Sequence, residues 1–147
     1  MIRFIFVVLL FSFVSSDTLP PINRCDSPGG RAINTTINNS KAMGGKYILK
    51  RGKEVGIDIE LEVFEDVQKV IASAEGKIGP AVLPYPISDP NGCTSLSCPL
   101  KKGGPYKYST KMKVQPFFPP IPVDVIWKLK DQKGYILACV IIPVRIE

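Results

Sequence analysis

Four cysteines and a row of carboxylates are the residues whose types and spacing could do chemistry in this 147-residue chain. Asp58, Glu60 and Glu62 recur at every second position, and neighbouring carboxylates can serve as general acid and general base. Cys25, Cys93, Cys98 and Cys139 could hold a tetrahedral zinc ion or pair as disulfides. Histidine is absent, which removes Ser-His and Cys-His nucleophilic catalysis, the commonest general base at neutral pH and every His-ligated metal site. Gly29-Gly30, Gly44-Gly45 and Gly103-Gly104 read as turns and not as phosphate-cradling loops. The expectation is a protein that is not an enzyme and uses no metal and no cofactor.

The elements that must position these groups are strands. Val55, Ile57, Ile59, Leu61 and Val63 alternate with Gly56, Asp58, Glu60 and Glu62, so the carboxylates sit on the solvent face of a regular strand and outside any pocket. The same period of two runs through Tyr106, Tyr108, Thr110, Met112 and Val114, and again through Val123, Val125, Trp127 and Leu129. Asp131-Gln132-Lys133-Gly134 reads as a hairpin turn into Tyr135 to Val140. With Val67 to Ala74 and a strand near Ala32 to Ile37, six or seven short strands are expected, which fits an all-β, antiparallel sandwich. Residues 136 to 142 are apolar on both parities, as suits a strand covered on both sides.

The first residues read as a signal peptide. Arg3 precedes the apolar run Phe4 to Val14, and Val14-Ser15-Ser16 offers a cleavage site, giving a leader of residues 1–16 and one domain over residues 17–147. These eleven residues, apolar except for Ser12, fall short of the roughly 20 that span a bilayer. Secretion favours disulfides, and three pairings are possible for four cysteines. A local Cys93–Cys98 bridge can form as soon as the turn between them closes, which leaves Cys25 with Cys139. A four-thiolate zinc site usually needs two close Cys pairs, and here there is one. Asn34-Thr35-Thr36 and Asn38-Asn39-Ser40 are glycosylation sequons that fit the same compartment.

The formal net charge is +6, with basic residues spread over Lys50-Arg51-Gly52-Lys53, Lys101-Lys102, Lys107, Lys111 and Lys113. No RNA-binding motif or basic helix organises them, so nucleic acid is not an expected partner. They read as a solvated face or as a weak attraction to anionic membrane surfaces.

Two proline-rich stretches, Pro80 to Pro90 and Pro116 to Pro122, interrupt the strand pattern. Proline lacks the ladder donor, so these segments are expected to run along an edge or between sheets and outside regular pairing. Their apolar side chains, among them Val82, Leu83, Tyr85, Ile87, Phe117, Phe118 and Ile121, either cap the core or line the mouth of an apolar cavity.

Taken in order, Asp89-Pro90-Asn91-Gly92-Cys93, Cys98-Pro99, Tyr106-x-Tyr108, Phe118-Pro119, Trp127-x-Leu129-x-Asp131 and Cys139-x-x-Ile142-Pro143-Val144-x-Ile146 resemble the ML lipid-recognition domain family. The nearest resemblance within it is to the Niemann-Pick type C soluble sterol carriers and the group 2 mite allergens. The resemblance implies an immunoglobulin-like β-sandwich whose two sheets part to hold a sterol or a fatty acyl chain. It places the lipid pocket at Tyr85, Val114, Phe118 and Pro119, with Trp127 and Val140 contributing from the last two strands, and it supports the Cys25–Cys139 and Cys93–Cys98 pairings. It further implies a secreted, or endosomal or lysosomal, monomer that transfers lipid through transient contact with a membrane or a membrane sterol acceptor. Two departures stand out: residues 38–47 contain no cysteine where sterol carriers typically form a third disulfide, and Val140 stands where an aromatic residue is common. The rival reading is an immunoglobulin-like interaction or innate-immune lipid-recognition module without a transfer role. Against a filled immunoglobulin core, Trp127 lies only twelve residues before Cys139 and does not fall midway between two bridged cysteines.

Overall fold

The computed structural model describes residue 5, residues 7–12 and residues 19–147. Among them are ten strands: β1 Asn23–Arg24, β2 Gly30–Asn38, β3 Lys41–Met43, β4 Lys46–Leu49, β5 Glu54–Val63, β6 Val70–Ile78, β7 Ala81–Tyr85, β8 Gly103–Lys113, β9 Pro122–Asp131 and β10 Ile136–Ile146. They form two sheets. One runs β3-β4-β10-β9-β6-β7 with β1 also paired to β10, and the other runs β2-β5-β8. The all-β sandwich expected from the alternating pattern is therefore present, with more strands than the pattern resolves. The extra ones, β1, β3, β4 and β7, are short or lie at sheet margins, where alternation has few residues in which to register. The junction after Ser16 lies outside the described residues. Among the described residues no helix is long and apolar enough to cross a membrane.

The core follows from parity. Val55, Ile57, Ile59, Leu61 and Val63 of β5 are all buried and face Val123, Trp127 and Leu129 of β9 and Val140, Ile142 and Val144 of β10 within one apolar cluster. Strand β10 is the hub: β9 pairs antiparallel along one side of it, while β1 and β4 share the other, β4 running parallel. Leu137, Ala138, Cys139 and Val140 are all buried in succession, so both of its faces are covered there, as its apolar parities require. The two sheets meet closely at Gly30, where a Cβ would stand 2.5 Å from the Leu137 carbonyl oxygen and 2.6 Å from that of Glu62, so only glycine fits.

The proline-rich stretches behave differently from each other, and the expectation that neither is paired needs correction. Residues Ala81–Tyr85 are a true strand, antiparallel to β6 with Tyr85 opposite Ala74 and Leu83 opposite Gly76. Pro84 is tolerated because β7 is the outermost strand of its sheet and one of its edges needs no donors. The second stretch does leave the ladder, looping from β8 to β9 through Phe117 to Ile121 before Pro122 opens β9.

Both disulfides join the cysteines the resemblance implied. Cys25–Cys139 fastens the segment after β1 to β10 with a Cα separation of 5.0 Å, and Cys93–Cys98 closes a short turn at 5.6 Å. The Cys25 bridge lies within one sheet and does not cross the sandwich. At the cysteine-free corner, hydrogen bonds make the tie instead: Asn39 Nδ2 donates to the Glu54 carbonyl at 2.8 Å and Ser40 Oγ to that of Ile48 at 2.8 Å.

Candidate lipid cavity

Leu49 ends β4, Ile78 ends β6, Lys113 ends β8 and Ile146 ends β10, while Glu54, Ala81 and Pro122 begin β5, β7 and β9. The registers Ile146 with Leu49, Lys77 with Asp124, Val144 with Val123 and Glu54 with Lys113 put all seven termini at one end of the sandwich. Here the sheets part around a cavity of about 270 Å³. That is close to the lower end of the roughly 300–1,000 Å³ common to small-molecule sites.

The inward positions of the large sheet supply one wall: Leu49, Gly76, Ile78, Val123, Val125, Val144 and Ile146. Met112 and Val114 supply the opposite wall, and the edge strand β7 with Leu83, Pro84 and Tyr85 closes the flank. Phe118, Pro119 and Ile121 of the β8–β9 loop lie over the top. Gly76 matters because it leaves open space on the inward parity of β6 between Ala74 and Ile78. A Cβ there would reach to 3.3 Å from Val123 Cγ1.

Among the described residues, none brings a free charge to the lining. Glu75 is the one acid on the lining, and its carboxylate is engaged by Lys128 Nζ at 3.4 Å. Tyr85 brings the phenol, whose hydroxyl donates to the Lys113 carbonyl at 3.1 Å, so the polar tip is satisfied and the ring is free to form wall. Burial raises its pKa, with a hydrogen bond to Gln115 opposing. Such a site can solvate an uncharged hydrocarbon body and has no group placed to activate or attack it.

The ML domain model matches residues 20–146, nearly all of the described chain. The chain belongs to the ML domain family. This ML domain is 31% identical over 125 residues to the Drosophila melanogaster protein named NPC intracellular cholesterol transporter 2 homolog a, spanning 84% of each chain. It is 29% identical over 140 residues to the Mus musculus NPC intracellular cholesterol transporter 2, spanning 95% of this chain and 94% of that one. Its fold is similar to the crystal structure of a Niemann-Pick type C2 protein from Japanese carpenter ant, with a TM-score of 0.81 and 24% identity, covering 86% of this chain and 99% of that one.

Of the six pocket residues drawn from the resemblance, the structure brings Tyr85, Val114, Phe118 and Pro119 together at the cavity. Trp127 and Val140 do not line it. Trp127 lies one inward position beyond Val125, opposite Ala74, and Val140 lies opposite Trp127 in the packed half of the interior. Both are 1% exposed. The indole fills the space left by the small side chains Ala72 and Ala74, so the ML domain is solid where the carried-over positions would extend the pocket. Burial raises the pKa of Tyr108 in that same region, where the Tyr108 hydroxyl and Trp127 Nε1 are both buried without a hydrogen-bond partner among the described residues.

Sequence reasoning missed Gly76, Met112, Val123, Val125, Val144 and Ile146 as lining. Their inward parity was readable, but which stretch of an inward row faces a void is set by how far the sheets splay. Among the stretches left open between cap and cavity mouth, Leu83, Tyr85, Phe118 and Ile121 line the cavity, while Val82 and Phe117 are turned to solvent.

Proposed function

We propose that this ML domain is a non-catalytic carrier that holds a sterol or similarly apolar lipid between its sheets and passes it to and from membranes. The observation that carries the reading is the uncharged, apolar cavity at the open end of the sandwich, in a chain whose relatives are named as cholesterol transporters. Removing about 400 Å² of apolar area from water at roughly 25 cal/mol/Å² gives a gross driving force near 10 kcal/mol, so no charged anchor is needed. Association entropy and the work of opening the sheets reduce that figure.

The surroundings of the mouth support transfer. Phe117 is 79% exposed, and Val82 and Leu83 are 48% and 55% exposed beside it. The turn Lys50-Arg51-Gly52-Lys53 is pinned to the same end, Gly52 N–H donating to the Val114 carbonyl at 2.6 Å and Val114 N–H to that of Lys53 at 2.9 Å. Exposed apolar side chains and a basic turn at one end suit transient contact with an anionic bilayer. Routing through the secretory pathway to the medium or to an endosomal or lysosomal lumen, after removal of residues 1–16, completes the reading, with a monomer as the working unit.

The rival reading, an interaction module with a filled core, is disfavoured by the cavity and by a disulfide that stays within one sheet. Native mass spectrometry of the secreted protein followed by organic extraction tests the proposal. The expected result is a co-purifying sterol or lipid in one-to-one ratio and a mature chain beginning at Asp17. A ligand-free protein that also takes up no fluorescent sterol from vesicles would overturn it.

A further inference from the structure

Two buried polar atoms are used neither by the fold nor by the lining of the cavity. The Tyr108 hydroxyl and Trp127 Nε1 have no hydrogen-bond partner among the described residues, although the two residues are only 2% and 1% exposed. A buried donor left without an acceptor is costly, and native interiors keep few of them.

Both atoms belong to inward rows that lead into the cavity. On β9, Trp127 follows Val125, which lines the cavity, and on β8, Thr110 and then Tyr108 follow Met112, which lines it from the facing sheet. One inward step along a strand is about 7 Å. The Tyr108 hydroxyl lies beside Trp127 and Thr110, so the phenol leans back along β8 toward Met112 and the two polar groups come together under the cavity floor. That floor is made of side chains, and Met112 is unbranched and adaptable. At about 270 Å³ the cavity falls short of the roughly 300–1,000 Å³ of most small-molecule sites, so a lipid of sterol size extends it, and the end that enters first meets this pair.

We propose that Tyr108 and Trp127 form a polar subsite beneath the lipid cavity that selects a lipid with a neutral oxygen, hydroxyl or keto, on its leading end, a sterol oxygenated on its side chain being the class that fits. The inference rests on the carrier reading above and narrows its ligand. An indole N–H only donates and a phenol donates one hydrogen, so two donors side by side call for an acceptor, and one oxygen with two lone pairs can serve both. Burial first, and then the Asp89 carboxylate, keep the Tyr108 hydroxyl protonated, which makes it a donor. A carboxylate on the leading end would meet no cation among the lining residues and would face Asp89, a like charge, in a poorly solvated interior. The ring hydroxyl of such a sterol stays at the mouth, in reach of water.

The test is displacement of a fluorescent sterol from the secreted protein by cholesterol and by 25-hydroxycholesterol, with wild type and Tyr108→Phe compared. The expected result is that wild type binds the side-chain-hydroxylated sterol at least about tenfold more tightly than cholesterol, and that Tyr108→Phe, which keeps the ring and removes the hydroxyl, brings this ratio below about threefold. The urea midpoint of the apo variant should stay level or rise, because the hydroxyl removed had no partner. Equal or weaker binding of the hydroxylated sterol by wild type, a ratio unchanged in the variant, or a fall in the apo midpoint would overturn the inference. Wild type that takes up no fluorescent sterol overturns the carrier reading and this inference together, whereas uptake without the preference overturns this inference alone.

Discussion

Tyr85 and Phe118 meet edge to face at the cavity, ring centroids 5.4 Å apart and planes inclined at 69°. One comes from edge strand β7 and the other from the β8–β9 loop, so this contact joins the loop to the flank of the cavity, while Ile146 N–H donating to the Ile121 carbonyl at 3.1 Å ties the loop to β10. Phe117 meets Phe118 edge to face at 5.2 Å, linking the exposed mouth to the lining. Aromatic pairs of this kind contribute about 0.5–1.5 kcal/mol beyond their buried area, little enough for a ligand to displace them.

Binding and stability are expected to separate at this pair. Phe118→Ala should lower fluorescent-sterol uptake at least tenfold while costing the apo protein less than about 2 kcal/mol, because the ring borders a void. Trp127→Ala should cost about 3–5 kcal/mol, as for a packed core aromatic. Urea denaturation of the two apo variants checks this, and equal losses of stability with unchanged uptake by Phe118→Ala would refute the cavity assignment.

Filling the cavity from the sheet side gives the converse. Gly76→Val adds a β-branched side chain to a strand interior, with the new Cβ 3.3 Å from Val123 Cγ1. Stability should hold or rise by about 0.5 kcal/mol from reduced unfolded-state freedom, while sterol uptake drops by an order of magnitude or more. Unfolding melts paired with uptake assays decide; retained uptake at full occupancy means the lipid lies elsewhere.

Loss of the two disulfides should be unequal. Cys25 and Cys139 are 114 residues apart, whereas Cys93 and Cys98 are five apart. Chain-entropy arguments give the long bridge about 4–5 kcal/mol and the short one markedly less. Cys25→Ser with Cys139→Ser should lower the denaturation midpoint far more than the Cys93 and Cys98 double variant, and peptide mapping without reductant should recover both bridges intact in the wild type.

The pH response follows from the groups present. With no histidine, no side chain has an ordinary pKa between 5 and 7, and affinity for a neutral sterol should change less than about tenfold across that range in membrane-free titrations. Acid stability is a separate matter. Hydrogen bonds from Ser109 and Asn38, aided by Lys107, hold the Asp58 carboxyl below its usual value. A depressed folded-state pKa means that its stabilisation is complete above pH 4 and is lost as pH falls through the lower folded value. Solvent screening keeps the effect at no more than about 1 kcal/mol. Asp58→Asn should therefore be less stable than wild type at pH 7 and level with it near pH 2; a gap that persists at pH 2 would mean the loss is one of packing.

Alternation in β5, β8, β9 and β10 was legible in the chain because each inward side chain meets water or core according to its own parity, a local property of the strand. Absence of histidine, the even cysteines and the ordered motifs likewise needed no coordinates. The pairing of Pro84 within a ladder was not legible, since a proline is excluded from a central strand and admitted at an edge, and edge position is set by sheet order. The cavity was decided last. Trp127 and Val125 share one inward row of β9, yet one packs against Ala74 and the other borders open space beside Gly76. Parity says which way a side chain points; only the separation of the two sheets at that level says whether it meets another atom or a void.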